Sequence, residues 1–234
     1  MHNALYEGKS KTIHPGEDES SLCIRFKDTA TAFNGEKIAE LPGKGKLNAA
    51  ISNRIFAYLA AQGIRTHFIR ALDETAIYVR KADIILVEVI VRNIAAGGFS
   101  KKYGVAEGTP LPNTVVEFCY KSDALGDPML NDSQIMALGL ASADELKVLT
   151  HQALRINTLL DAYFAKGGIR LVDFKLEFGR CDGEILLCDE ISPDSCRLWD
   201  AETDEILDKD RFRRGLDNVL GGYQTVLGRL LNVC

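Results

Sequence analysis

The sequence predicts an α+β fold in two lobes, and three observations carry that expectation. Strand-like and helix-like segments are segregated along the chain instead of alternating as they would in a doubly wound sheet. A length of 234 residues with 46% apolar content is enough for one large domain or two small ones around a real core. The β-branched segments Ile77 to Val79 and Ile84 to Val91 give way to an irregular middle, which suggests a lobe boundary near residue 85 and a division into 1–85 and 86–234.

The first forty residues hold short apolar runs such as Ser21 to Phe26, separated by turn signals at Pro15-Gly16 and Asn34-Gly35, and read as antiparallel strands. Leu47, Ile51, Ile55, Tyr58 and Leu59 recur at helical spacing and stop at Gly63, a glycine C-cap. Gly97-Gly98 and the prolines at 110, 112 and 128 mark the irregular middle. Ser142 and Glu145 form a capping box ahead of a helix whose apolar face runs Leu146, Leu149, Ala153, Ile156, Leu160 and Phe164 and ends at Gly167-Gly168. Ile169 to Phe178 and Glu184 to Glu190 make a hairpin around Asp182-Gly183, and a last helix carries Phe212, Leu216, Val219, Tyr223, Val226 and Leu230 on one face.

Composition excludes several classes. A formal charge of -5 argues against a general nucleic-acid binder, because such binding is carried by phosphate neutralisation. The start lacks the apolar stretch of a signal peptide and no run is long enough for a membrane span, so the expected location is the cytoplasm. Six cysteines at 23, 119, 181, 188, 196 and 234, with no CxxC, are neither a disulfide framework nor a zinc pattern. Histidines 2, 14, 67 and 151 have no ligand spacing. Charge drifts from basic in the first third to acidic in the last, as noise or as phosphate-holding lysines followed by metal-holding acids.

Gly8-Lys9-Ser10-Lys11 on a strand would point both ammonium groups to one side while the glycine lets backbone approach a polyphosphate. It is not a Walker loop, since the glycine required five positions earlier is Asn3; Gly43-Lys44 fails the same test at Ile38. Gly43-Lys44-Gly45-Lys46 opens a helix, where free amides and two lysines make either an anion site or a plain loop. In the hairpin, Asp173, Lys175 and Glu177 share one strand face, as a cross-strand ion ladder or as a site. The return strand adds Asp189, Glu190 and Asp194, and oxygen ligands from adjacent strands suit Mg2+ bound with nucleotide phosphates. Arg92 and Arg197 are a candidate guanidinium fork for a second anion.

Five collinear blocks then resemble one family: Leu5 to Lys11, Pro42 to Asn48, Val91 to Gly97, Leu171 to Gly179, and Asp189 to Asp200, with Asp208-Lys209-Asp210-Arg211-Phe212-Arg213 closing the match. The family is phosphoribosylaminoimidazole-succinocarboxamide synthase, or SAICAR synthetase, of purine biosynthesis. The resemblance implies a kinase-like N-terminal antiparallel β lobe, an ATP-grasp-like C-terminal α+β lobe, and ATP in the cleft between. It implies a ligase that joins L-aspartate to the carboxylate of carboxyaminoimidazole ribonucleotide with release of ADP and phosphate, acting as a homodimer.

By match of motif, Lys9, Lys11 and Lys44 would serve ATP, the strand around Ile84 would present backbone groups to adenine, and Glu177 and Asp189 would bind Mg2+. Arg92, Asp173, Lys175 and Arg197 would face the ribotide and its reacting carboxylate, with Asp173 a candidate base. Where many members carry Ala-Ala-Gly-Ser, this chain has Gly98 in the serine position, so Ser100 or a bare amide at Gly98 takes the ribotide-phosphate contact. A small-molecule kinase is the alternative, but no His-Arg-Asp or Asp-Phe-Gly motif is present. A metal shared by Glu177 and Asp189 requires an odd-length hairpin loop, pairing Arg180 with Glu184; the two-residue turn that Asp182-Gly183 resembles would place Asp189 on the apolar face.

Overall fold

The computed structural model describes residues 4–233, so His2 and Cys234 lie outside it. Its first sheet is antiparallel, ordered β1-β2-β3-β7-β6, from β1 (Tyr6–Glu7), β2 (Lys11–Pro15), β3 (Ser21–Phe26), β6 (Phe68–Ala71) and β7 (Ala76–Arg80). A separate ribbon pairs β4 (Thr29–Ala32) with β5 (Lys37–Glu40). Ile24, Phe26, Ile77 and Val79 pack against Ala49 of α1 (Lys44–Ala61). That helix stops at Gly63, whose φ of 77° lets its amide reach Ala60 while Ile64 N–H reaches Leu59, the Schellman closure expected of a glycine stop.

The second sheet runs β11-β10-β9-β12-β13, with β8 and β14 also paired to β12. Its strands are β8 (Asp83–Ile84), β9 (Val87–Ile94), β10 (Pro110–Tyr120), β11 (Met129–Leu130), β12 (Ile169–Cys181), β13 (Glu184–Cys188) and β14 (Cys196–Asp200). Side-chain alternation divides its faces: Val87, Val89 and Val91 of β9 and Phe174, Leu176 and Phe178 of β12 turn into the main core, while Glu88, Ile90, Arg92, Asp173, Lys175 and Glu177 turn to a cavity. The core face is covered by α4 (Ala143–Lys166), whose capping box at Ser142 and Glu145 and buried stripe from Leu146 to Phe164 stand as the sequence requires. Each fully buried leucine there contributes about 1.5–3 kcal/mol.

Three expectations fail. The irregular middle contains α2 (Gly97–Tyr103), the eleven-residue β10 and α3 (Asp132–Ala137); Pro110 is tolerated in β10 because the register with β9 shifts between it and Val115. The last helix is two helices, α5 (Asp210–Arg214) and α6 (Val219–Leu231), separated by left-handed Gly215 and Asn218, which leaves Leu216 exposed. The hairpin loop is even: Cys181 pairs with Glu184 and Glu177 with Cys188, because Asp182 and Gly183, with φ of 53° and 78°, form the tight turn whose twist matches the strands.

Candidate active site

Arg92, Asp173 and Arg197 form one row across three neighbouring strands, since Asp173 is directly opposite Arg92 on β9 and Arg197 on β14. The Asp173 carboxylate accepts from Arg92 at 2.7 Å and from Arg197 at 2.8 and 3.1 Å. Glu117 takes Arg92 Nε at 2.6 Å and Asp210 takes Arg197 Nε at 2.9 Å, so each guanidinium is held from two sides. Gly97 lies flat against Arg197, and a β-carbon there would collide with the guanidinium.

One step along the same face, Lys175 donates to Glu177, to Glu88 at 3.1 Å and to Asp189 at 3.4 Å. Lys11, reaching over from the first sheet, pairs with Asp189 and with Glu190 at 2.9 Å. Burial by itself would pull both lysines down, but the surrounding carboxylates outweigh it and hold them above the ordinary lysine range. Burial would likewise raise Asp189, but Lys11 and Lys175 keep it well below the usual carboxylate range.

Asp189 therefore shares the cavity with Glu177 despite the even register. It follows the last paired residue of β13, and its φ of 61° turns the chain so that its side chain faces Lys11 and Lys175 instead of the core. A left-handed residue, and not an odd loop, brings the two carboxylates together.

The cavity encloses about 550 Å³ between the two sheets. Ile13 and Ile24 of the first sheet and Ile84 and Leu86 beside the second give the cavity an apolar lining. Lys9 borders it and bonds Asp123 at 2.9 Å.

Three of the sequence candidates do not line this cavity. Lys44 is fully buried and donates to Asp194 at 2.7 Å, while the amides of Gly43 and Gly45 are already taken by the Asp28 carboxylate at 3.0 and 2.9 Å. The expected anion site at that helix start is thus filled by the chain's own carboxylate, and Lys44 acts on the cavity only through Asp194. Gly98 and Ser100 lie on α2 outside the lining, with the Ser100 hydroxyl buried and unpaired.

The structure also adds residues to which the sequence reading gave no role. Glu88 was legible in principle, alternating with Ile90 and Arg92 on β9. Lys121, which bonds Glu177 at 2.8 Å, and Lys209 and Arg213 come from a loop and a short helix with no periodic signal. His67 is buried with a ring nitrogen 3.1 Å from the Asp189 carbonyl.

A cavity between two sheets, lined by lysines and carboxylates and by a guanidinium pair, fits an enzyme that acts on anionic substrates. Residues 4–230 match the family model for SAICAR synthetase. The chain belongs to the SAICAR synthetase family, ligases of purine biosynthesis. It is 53% identical over 226 residues to the phosphoribosylaminoimidazole-succinocarboxamide synthase of Deinococcus radiodurans, covering 96% of this chain and 95% of that one. A solved structure of the Ehrlichia chaffeensis synthase superposes with a TM-score of 0.96 at 43% identity, covering 99% of this chain and all of the other. A structure described as SAICAR synthetase (Type-2) in complex with ADP superposes with a TM-score of 0.94 at 46% identity, covering 96% of each chain. The kinase alternative finds no support among these relatives.

Proposed function

We propose that this chain joins L-aspartate to the carboxylate of carboxyaminoimidazole ribonucleotide at the expense of ATP, through an acyl phosphate. The observation that carries the reading is the single cavity in which Lys11, Lys175, Glu177 and Asp189 adjoin the Arg92–Asp173–Arg197 row. An anion holder beside a polyphosphate holder is what transfer of a phosphoryl group onto a carboxylate requires.

The adenine ring enters the apolar end of the cavity at Ile13, Ile24, Ile84 and Leu86, and its phosphates run toward Lys9 and Lys11; that a 46% identical relative was solved in complex with ADP supports nucleotide binding. Arg92 and Arg197 hold the ribotide, and Lys175 stands beside its carboxylate. A carboxylate oxygen attacks the γ-phosphorus as the bond to ADP breaks; the aspartate amine then attacks the acyl carbon, phosphate leaves with its electron pair, and the amine loses a proton. Asp173, whose two oxygens are both engaged by guanidinium groups, aligns the arginines.

Mg2+ belongs to the same reading, and the residues fit it. Glu88, Glu177 and Asp189 converge on the Lys175 ammonium, so hard oxygen donors already surround a cation, though not as a preformed metal cage among the described residues. Mg2+ is commonly held by one or two carboxylates with phosphates and water completing its shell. Glu177 and Asp189 would hold it, and it would neutralise charge on the transferred phosphoryl group. The reading also includes lobes meeting near residue 85, a homodimer and a cytoplasmic enzyme.

The test is ADP release that depends on both aspartate and ribotide. Ribotide carrying 18O in its carboxylate should pass one label into the released phosphate; unlabelled phosphate would exclude the acyl phosphate.

A further inference from the structure

The α5 wall of the cavity carries two cations that the proposed chemistry has not used. Lys209 and Arg213 lie one helical turn apart, with Arg213 N–H bonded to the Lys209 carbonyl at 3.0 Å, and both side chains line the cavity. Side chains at this spacing are neighbours on one helix face.

Their surroundings differ from those of the other cavity lysines. Lys11 and Lys175 each touch at least two carboxylates. Lys209 is 11% exposed, and its one ion-pair partner among the described residues is Asp194, 4.0 Å away. Asp194 is shared: Lys44 donates to one oxygen at 2.7 Å and Tyr223 to the other at 2.6 Å. Asp194 thus divides its charge between the fully buried Lys44 and Lys209 while Tyr223 also donates to it, and the Lys209 ammonium has no hydrogen-bonded carboxylate of its own among the described residues. Burial, with Arg213 and Lys44 adding to it, pulls Lys209 below the ordinary lysine range against Asp194 and Glu190. An arriving anion would relieve that penalty.

Resting on the ligase reading above, we propose that Lys209 and Arg213 form the subsite for the carboxylates of the amino-acid substrate, which sets the preference for a dicarboxylate. The other two anions have places elsewhere in the cavity: the nucleotide phosphates at Lys9 and Lys11, the ribotide at Arg92 and Arg197. Lys209 and Arg213 come from the segment after β14, and Arg213 is braced by Asp210 at 2.5 Å, the carboxylate that also holds Arg197. The subsite is thereby tied to the place where the reacting carboxylate sits. Lys44 and Tyr223 are positioning residues for it, acting through Asp194.

The experiment measures ADP release by wild type, Lys209→Gln and Arg213→Gln with each substrate varied in turn, and repeats it with succinate as an inhibitor, a dicarboxylate that lacks the amine. Each variant should raise the aspartate KM and the succinate inhibition constant together, by roughly 10- to 150-fold, while the KM values for ATP and ribotide stay within about twofold. Lys209→Arg should recover part of the loss. A raised ribotide KM with aspartate KM unchanged would reassign the pair to the ribotide phosphate and overturn the proposal, as would unchanged succinate inhibition in both variants. Wild type that releases ADP without aspartate would instead refute the ligase reading, a result separate from either.

Discussion

Asp173 and Arg197 stand directly opposite one another on β12 and β14, and the carboxylate that accepts two bonds from Arg197 also accepts one of 2.7 Å from Arg92. This arrangement makes Asp173 a bridge between two guanidinium groups. Asp173→Asn keeps the shape but removes the charge, so both arginines should lose alignment. The expected result is a ribotide KM raised, or kcat/KM lowered, by roughly 10- to 150-fold, with the KM for ATP nearly unchanged. A base would behave differently: its loss would remove an ionisation from the pH profile of kcat and leave the ribotide KM alone. Steady-state kinetics over a pH series separates the two roles.

Gly97→Ala probes the same guanidinium from outside the sheet. The φ of 54° at Gly97 disfavours a side chain, and the added methyl would meet the Arg197 guanidinium. Because that guanidinium is the far end of a flexible side chain, it can move. Stability should fall by only about 1 kcal/mol, whereas the ribotide kcat/KM should fall by roughly 10- to 150-fold. Thermal unfolding alongside kinetics checks this; a variant that binds ribotide normally would show that Arg197 need not sit against Gly97.

The hairpin shows what was legible in the sequence. Alternation placed Asp173, Lys175 and Glu177 on one face, and the strand bears this out because β12 pairs with β9 in unbroken register from Asp173 to Leu176. The Asp182-Gly183 turn was equally legible and indicated the two-residue loop that is found. The odd loop expected in its place came from requiring Asp189 to obey strand alternation beyond the last pair, where a φ of 61° releases it. Left-handed backbone at an aspartate has no periodic signature. The same holds at Gly215 and Asn218, which divide an apparently continuous helical face, and at Lys44, where Asp28, a residue sixteen positions earlier, had already claimed the helix-start amides. Local pattern fixes which face a side chain takes; it does not say which partner reaches it first.

Glu177→Gln and Asp189→Asn test the metal assignment. Each should shift the Mg2+ dependence of ADP release to higher concentration and lower the turnover reached at saturation. Lys175 retains two carboxylates when Glu177 is neutralised, so the fold should survive with a loss well below the 3–5 kcal/mol typical of a fully orphaned buried charge. Asp189→Asn bears on Lys11 as well, which keeps Glu190. A Mg2+ titration unchanged in both variants would remove these residues from the metal site.

Asp208 gives a prediction about stability and pH. It is fully buried, and its carboxylate accepts the amides of Leu198 and Asp210, both at 2.7 Å, which ties β14 to α5 and so sets Arg197 against Asp210. Burial, with Asp210 close by, pushes its carboxyl from 3.8 up to about 7. A raised carboxyl makes the folded chain hold a proton that the unfolded chain has released, so the contribution is present in full below pH 3.8 and is lost as pH rises to about 7. His67 runs the other way, since burial pulls it from 6.5 down to about 4 and its contribution is lost as pH falls through that interval. Wild type sums the two. Asp208→Asn removes only the first, and with one oxygen for two amide donors it should be the less stable protein at pH 4. As pH rises toward 7 the variant should gain on wild type, with a slope of up to about 1.4 kcal/mol per pH unit. Urea unfolding of both proteins across this range measures the difference directly, because the His67 contribution cancels. A difference independent of pH would mean that Asp208 is ionised in the folded chain throughout, with Arg197 compensating its charge more fully than its burial opposes it.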